Sequence, residues 1–229
     1  MNILVANIGS TSFKYQLFQD GTPAARGRIE RIGQAGSDCP DYDTAISTCR
    51  LELGSVALHG VGFKAVHAGE VSGARVVDDG VLQALSDFAF HAPAHNPPYI
   101  AAMRSFQSAL PSVPLVALLE TAFFDQLPDS AVTYGIPFNW REKFGVRRYG
   151  FHGASHRAAS ETAQEILQRK DLRHISCHLG GSSSMAAIRD GVAVDTSFGM
   201  SPQSGLPHNN RTGDLDPFAV LFLLKKTGL

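Results

Sequence analysis

A chain of 229 residues with 44% hydrophobic and 18% charged side chains has room for one large domain or two small ones, and its composition excludes a disordered polymer. A formal charge of -1 excludes a global basic field for nucleic acid or acidic lipid, and short clusters such as Arg147-Arg148 and Lys225-Lys226 read as solvated surface charge. Three cysteines, Cys39, Cys49 and Cys177, have no metal-ligand spacing, exclude a disulfide framework and fit a reducing, cytoplasmic compartment. Met1 runs directly into Asn2-Ile3-Leu4-Val5, which reads as a buried strand and not as a secretory leader. The apolar run at 218–224 is far shorter than the ~20 residues that span a bilayer, so no membrane partner is expected.

In chain order, residues 3–6 read as a strand that ends in the loop Asn7-Ile8-Gly9-Ser10-Thr11-Ser12, and residues 13–18 read as a second strand. Asp20-Gly21 follows, the strongest short-range signal for a hairpin, and leads into a third strand at 24–29. Residues 31–42 are rich in Gly, Pro and Asp and read as loop. Strands are expected at 61–67 and 114–119, and helices at 81–88 and 98–109, the latter with Ala101, Ala102, Met103 and Phe106 on one stripe. Ser155 offers an N-cap to a helix running to about residue 169, with Ala159, Ala163, Ile166 and Leu167 as its apolar face.

From Ile175 the opening pattern recurs: a strand at 175–179, the loop Gly180-Gly181-Ser182-Ser183-Ser184, a strand at 185–188, the turn Asp190-Gly191, and a strand at 192–195. Two copies of one unit, ~170 residues apart, predict two homologous domains, 1–122 and 123–229. Only 45 residues follow Ser184, so the second domain is expected to be incomplete and the chain a fragment or truncated product. Loops of Gly, Ser and Thr turn several backbone N–H groups toward one point, and such nests bind phosphate oxygens. Ser10, Ser12 and Lys14 add donors and a compact positive charge to the first loop. One loop alone is as well explained by a surface hairpin. A pair, one per domain, predicts a nucleotide held between domains.

Asn7-x-Gly9-Ser10-x-Ser12-x-Lys14, Ala92-Pro93-Ala94-His95-Asn96-Pro97 and Arg148-Tyr149-Gly150-Phe151-His152-Gly153-Ala154-Ser155-His156 resemble, in order, segments of the acetate kinase family. His178-Leu179-Gly180, Asp195-Thr196-Ser197 and Arg211-Thr212-Gly213-Asp214-Leu215-Asp216-Pro217 continue the resemblance across essentially the whole chain. It implies an α/β fold of duplicated ribonuclease H-like domains with mixed sheets, of the actin, hexokinase and Hsp70 type. It also implies transfer of the ATP γ-phosphoryl group to a short-chain carboxylate, acetate or propionate, with Mg2+. Glu120, His152 and Arg211 would be catalytic, and Lys64 would bind the carboxylate. Lys14, His178, Leu179, Gly180, Gly181 and Ser182 would hold ATP, with Ser10 and Ser12 in the phosphate loop and Asn7 on the metal. A homodimer is implied for the full-length form.

Four departures fall at the chemistry. The family's Asp-Thr-Ala-Phe-His is Glu120-Thr121-Ala122-Phe123-Phe124, and its His-Arg-Val-Val-His is Phe63-Lys64-Ala65-Val66-His67. Lysine keeps the charge but loses the bidentate fork that fits a carboxylate. Gly-Asn-Gly-Ala-Ser becomes Gly180-Gly181-Ser182-Ser183-Ser184, and His208-Asn209-Asn210 stands before Arg211 in place of Met-Gly-Thr. With these changes and the short back half, the isolated chain is expected to be weakly active or inactive, and a nucleotide- or acyl phosphate-binding relative without efficient transfer is the competing reading. The spacings His152–His156 and His174–His178 do not make a zinc site, because the second pair lies on a strand, where residues four apart are about 13 Å apart.

Overall fold

Leu4, Ala6 and Ile8 are buried and alternate with more exposed neighbours, and that period of two makes Asn2–Ile8 a strand, β1. The computed structural model describes residues 1–228. β2 (Ser12–Gln19) buries Phe13, Tyr15 and Leu17, and β3 (Thr22–Glu30) completes an antiparallel meander. Asp20 and Gly21 between them have φ of 48° and 81°, the left-handed pair that a tight hairpin turn with matching twist requires. α1 (Tyr42–Leu53) follows, capped by the Asp41 carboxylate, which accepts from the Thr44 amide, and buries Ala45, Ile46 and Cys49. The sequence reading passed over this helix, although the cap signal stands in the chain.

β4 (Gly60–Ala65) pairs parallel with β1, and β5 (Ala74–Val76) is a short, exposed edge strand. α2 (Asp79–Asp87), capped by Asp78, and α3 (Asn96–Ala109) lead to β6 (Leu115–Leu119). The sheet order is β3-β2-β1-β4-β6-β5, with β1, β4 and β6 parallel and the other pairings antiparallel. Phe106 of α3 stands edge-on to Phe13 and Phe63 at centroid distances of 5.7 and 5.3 Å, which locks the helix onto the sheet. These elements form one compact unit, Met1–Ala122, and the second unit is Phe123–Leu229.

The second unit contains α4 (Asp129–Val132), α5 (Phe138–Phe144), α6 (Gly153–Leu167), β7 (Arg173–Leu179), β8 (Ser183–Arg189), β9 (Val192–Thr196) and α7 (Pro217–Thr227). Its core gathers Phe124, Leu127, Val132, Ala186, Ile188 and Ala193. β7, β8 and β9 form an antiparallel meander of the same order as β1, β2 and β3. Asp190 and Gly191 repeat the left-handed turn, with φ of 53° and 83°. Each meander also carries a register shift at the same place: Leu17 and Ala187 each stand four residues before the turn glycine. Turn type and bulge position agreeing together is the structural signature of an internal duplication.

Two expectations about α6 change. The helix begins after His152, whose left-handed φ of 60° starts it, and Ser155 lies inside the first turn. Its buried face is Gly153, His156 and Ser160, whereas Ala159, Ile166 and Leu167 are exposed. The inward face of β7 is polar in the same way, so a rule that seeks an apolar stripe picks the wrong side.

α7 buries no residue of its own, and Phe218, Leu221, Phe222 and Leu223 are all exposed. A contiguous apolar face of this kind drives association. The purified chain is expected to bind an apolar fluorescent dye, and Leu221→Glu with Phe222→Glu is expected to remove most of that signal without loss of far-UV helical dichroism. Unchanged dye binding would show that α7 is covered in solution.

Candidate active site

In the first unit, the strand register sets out the candidate side chains. Asn7 pairs with Lys14 across β1 and β2, and both are exposed on the same face. Lys64, one residue beyond the Ala6–Phe63 pair, is exposed on that face as well. The loop between β1 and β2 is tight: the Gly9 amide donates to the Ser12 carbonyl at 2.7 Å, and the Tyr42 hydroxyl donates to the Gly9 carbonyl at 2.6 Å. Ser10 is exposed and Ser12 half-buried in this turn.

Glu120 follows β6, is almost fully buried, and its amide donates to the Ala65 carbonyl at 2.8 Å. Its carboxylate lies 3.7 Å from the Lys64 ammonium. Two of the residues that depart from the acetate kinase pattern, Lys64 and Glu120, are therefore an ion pair. A half-exposed lysine tethers a buried carboxylate.

Asn7 is the residue expected to hold magnesium. Its side-chain oxygen accepts from the Tyr99 hydroxyl at 3.4 Å, a long contact that leaves lone-pair capacity. A single neutral oxygen suits a cation that keeps its waters and takes other ligands from phosphates. Among the described residues, no group of three or more His, Cys, Asp or Glu is placed to hold a metal.

In the second unit, the loop after β7 exposes Leu179, Gly180 and Gly181, and the Gly180 amide closes it by donating to the Ser182 carbonyl at 3.2 Å. Arg211 reaches this loop from a distant segment. Its Nη1 donates to Ser182 Oγ at 2.8 Å and to the Pro202 carbonyl at 3.0 Å. The backbones of His208 and Arg211 exchange hydrogen bonds, and the Gly205 amide donates to the Asp214 carboxylate at 2.7 Å, so the arginine's loop is tied at both ends. Partial burial lowers the pKa of the Arg211 guanidinium, a group that nonetheless stays charged.

His152 and His178 stack at 3.9 Å with 24° between the ring planes. His152 Nδ1 is 2.8 Å from Ser184 Oγ, and His178 Nδ1 is 2.9 Å from Ser155 Oγ. Behind them His156 is fully buried, and burial, with His178 as a second cause, lowers its pKa to about 4. The Ser183 amide donates to His208 Nδ1, whose ring is also held neutral by burial and by the neighbouring Arg211.

The structure thus gathers Asn7, Lys14, Lys64 and Glu120 in the first unit, and His152, His178, Gly180, Gly181, Ser182 and Arg211 in the second. Sequence reasoning missed the support of Ser155, Ser176, Ser184 and His208. It noted His156 for its spacing and set it aside as structural. Ser184 in the Gly/Ser loop, Ser155 in the segment from Arg148 to His156 and His208 before Arg211 stood in segments with a visible signal, and Ser176 did not.

The acetokinase family model matches residues 40–229. Acetate kinases of Carboxydothermus hydrogenoformans and Bacillus subtilis are 39% and 37% identical over 100% and 99% of this chain. The chain spans 65% and 64% of their lengths, just under two thirds. Among solved structures, Porphyromonas gingivalis acetate kinase superposes with a TM-score of 0.86 at 33% identity, covering 100% of this chain and 65% of that one. A Francisella tularensis propionate kinase gives 0.89 at 28% identity, with the same coverage.

Proposed function

This chain belongs to the acetokinase family, and on that premise we propose that its two residue clusters serve ATP-dependent phosphorylation of a short-chain carboxylate. A carboxylate oxygen forms the new bond to the γ-phosphorus, the bridging P–O bond breaks, and ADP leaves with that bond's electrons. The observation that carries the reading is the Arg211 guanidinium held on Ser182 of the glycine-rich loop, 2.8 Å away. A cation fixed beside an exposed glycine-rich loop is built for charge that develops on transferring phosphoryl oxygens.

In this reading Gly180, Gly181, Ser182, Leu179 and His178 hold ATP phosphates, and Ser10, Ser12 and Lys14 of the β1–β2 turn are a further set of phosphate donors. Arg211 neutralises the moving phosphoryl group and His152 hydrogen-bonds it. Lys64 holds the carboxylate, and Glu120 orients Lys64 across their 3.7 Å contact. Glu120 stands where the acetate kinases carry an aspartate, so it is also assigned a catalytic position. Magnesium, when bound through Asn7, supplies further neutralisation of the triphosphate. The same reading extends to a homodimer and to a cytoplasmic setting, which accords with the free thiols of Cys39, Cys49 and Cys177. Among the described residues, no helix is long and apolar enough to cross a membrane.

The test is to mix the purified chain with ATP, magnesium and either acetate or propionate, and to trap acyl phosphate as a hydroxamate. A low but ATP-dependent yield above blank is expected. Thermal stabilisation by ATP with no hydroxamate would leave nucleotide binding and overturn transfer.

A further inference from the structure

Ser176, His156 and Ser184 form a line of hydrogen bonds that ends on His152. Ser176 Oγ lies 2.9 Å from His156 Nδ1, His156 Nε2 lies 2.8 Å from Ser184 Oγ, and Ser184 Oγ lies 2.8 Å from His152 Nδ1. The line follows from local geometry. Alternation along β7 turns His174, Ser176 and His178 to one face, and Ser184 is the register partner of His178 on β8. His152 and His156 are one helical turn apart at the start of α6, which lies over that face. His156 and Ser184 are fully buried and Ser176 nearly so.

Each hydroxyl carries one hydrogen, and each neutral imidazole carries one N–H, so the line has a direction. Suppose it starts at His152. Its Nδ1–H donates to Ser184, Ser184 donates to His156 Nε2, and His156 Nδ1–H donates to Ser176. The Ser176 hydrogen is then left buried without an acceptor, because among the described residues its side chain meets no other partner than His156. Run the other way, Ser176 donates to His156 Nδ1, His156 Nε2–H donates to Ser184, and Ser184 donates to His152 Nδ1, so the hydrogen outside the line is the Nε2–H of half-buried His152 and no hydroxyl is stranded. Stranding a buried hydroxyl is costly enough to favour this second direction roughly tenfold or more.

We infer that Ser176, His156 and Ser184 are positioning residues that hold His152 as the Nε2–H tautomer, so that it meets the phosphoryl group as a neutral hydrogen-bond donor. The inference rests on the reading of His152 as the phosphoryl contact. The relay works only while His156 is neutral, and its burial keeps it so down to about pH 4.

The experiment labels the chain with 15N-histidine and records long-range 1H–15N correlations of the imidazole rings at neutral pH. His152 is assigned by the signals lost in His152→Gln. His152 is expected to be protonated at Nε2, with the Nδ1–H form below roughly a tenth. Ser176→Ala removes the hydroxyl that gives the line its direction, and either direction then leaves one His156 nitrogen unmet. The two His152 tautomers should become comparable, and Ser176→Thr should restore the wild-type pattern. If Ser176→Ala does not fold, Ser184→Ala reports on the same tautomer ratio, and the wild-type spectrum decides the direction by itself. A wild-type His152 protonated at Nδ1, or a ratio unmoved by Ser176→Ala, overturns the relay. Failure to form acyl phosphate with the Nε2–H pattern intact would instead remove the phosphoryl-contact reading and leave the relay standing.

Discussion

In an active, longer form of this chain, Arg211→Ala is expected to lower the turnover of acyl phosphate formation on the order of 10^3-fold while weakening ATP binding by less than about tenfold. The asymmetry follows from where the guanidinium is anchored. Ser182 and the Pro202 carbonyl already hold one edge of it, at 2.8 and 3.0 Å, so its position is set before any ligand arrives. Partial burial strengthens its field, because fewer waters screen it. Charge on the transferring group differs most between ground state and transition state, and a preorganised cation stabilises the latter more. ATP would keep the exposed glycine backbone of the loop at Gly181. Arg211→Lys should fall between the two, since an ammonium cannot hold Ser182 and a phosphoryl oxygen in one plane. Steady-state kcat and KM, together with an equilibrium ATP titration, check this. Equal losses in turnover and affinity would contradict the role.

Gly150→Ala is expected to destabilise the second unit by about 3 kcal/mol or more. Gly150 has φ of 72°, and a Cβ there would sit 2.5 Å from Phe124 Cγ. The ring cannot retreat. Phe124 is fully buried in the core of Leu127, Val132, Ala186, Ile188 and Ala193 and meets His156 edge-on at 5.9 Å. Left-handed strain accounts for roughly 1–2 kcal/mol and the overpacked ring for roughly 1–3 kcal/mol. Urea unfolding of wild type, Gly150→Ala, Phe124→Leu and the double variant separates the two. The double variant should be less destabilised than the sum of the single changes, because the smaller side chain relieves the clash but not the backbone. A Gly150→Ala protein within about 0.5 kcal/mol of wild type would refute the account. The glycine between Tyr149 and Phe151 thus has a steric reason, independent of any ligand, and it sets the backbone two residues before His152.

Much of the fold was legible because its cues are local. Asp20-Gly21 and Asp190-Gly191 demand positive φ at two successive residues, and few other pairs tolerate that, so both hairpins could be read directly. Phe13, Tyr15 and Leu17 betray β2 by alternation alone. The candidate site was legible where motif residues cluster, as at Arg148 to His156. Where burial is polar the reading failed. His174, Ser176 and His178 point inward from β7, and His156 and Ser160 do so from α6, so the apolar stripe expected at Ile166 and Leu167 was the solvent side. Ser155 has the chemistry of an N-cap, yet its hydroxyl is engaged by His178, and the left-handed backbone of His152 starts the helix in its place.

From its sequence alone this chain determined the two hairpins, their repetition and the residue types at the candidate site, because turn dihedrals and strand periodicity act over a few neighbouring residues. Tertiary structure decided which of those residues meet: Glu120 with Lys64, Ser182 with Arg211, and the line from Ser176 to His152. Hydrogen bonds and ion pairs act over about 3–4 Å between groups far apart in the chain. No local preference encodes that distance; the packing of α6 on β7 and β8, of β4 beside β6, and of the 205–214 loop against the loop after β7 brings it about.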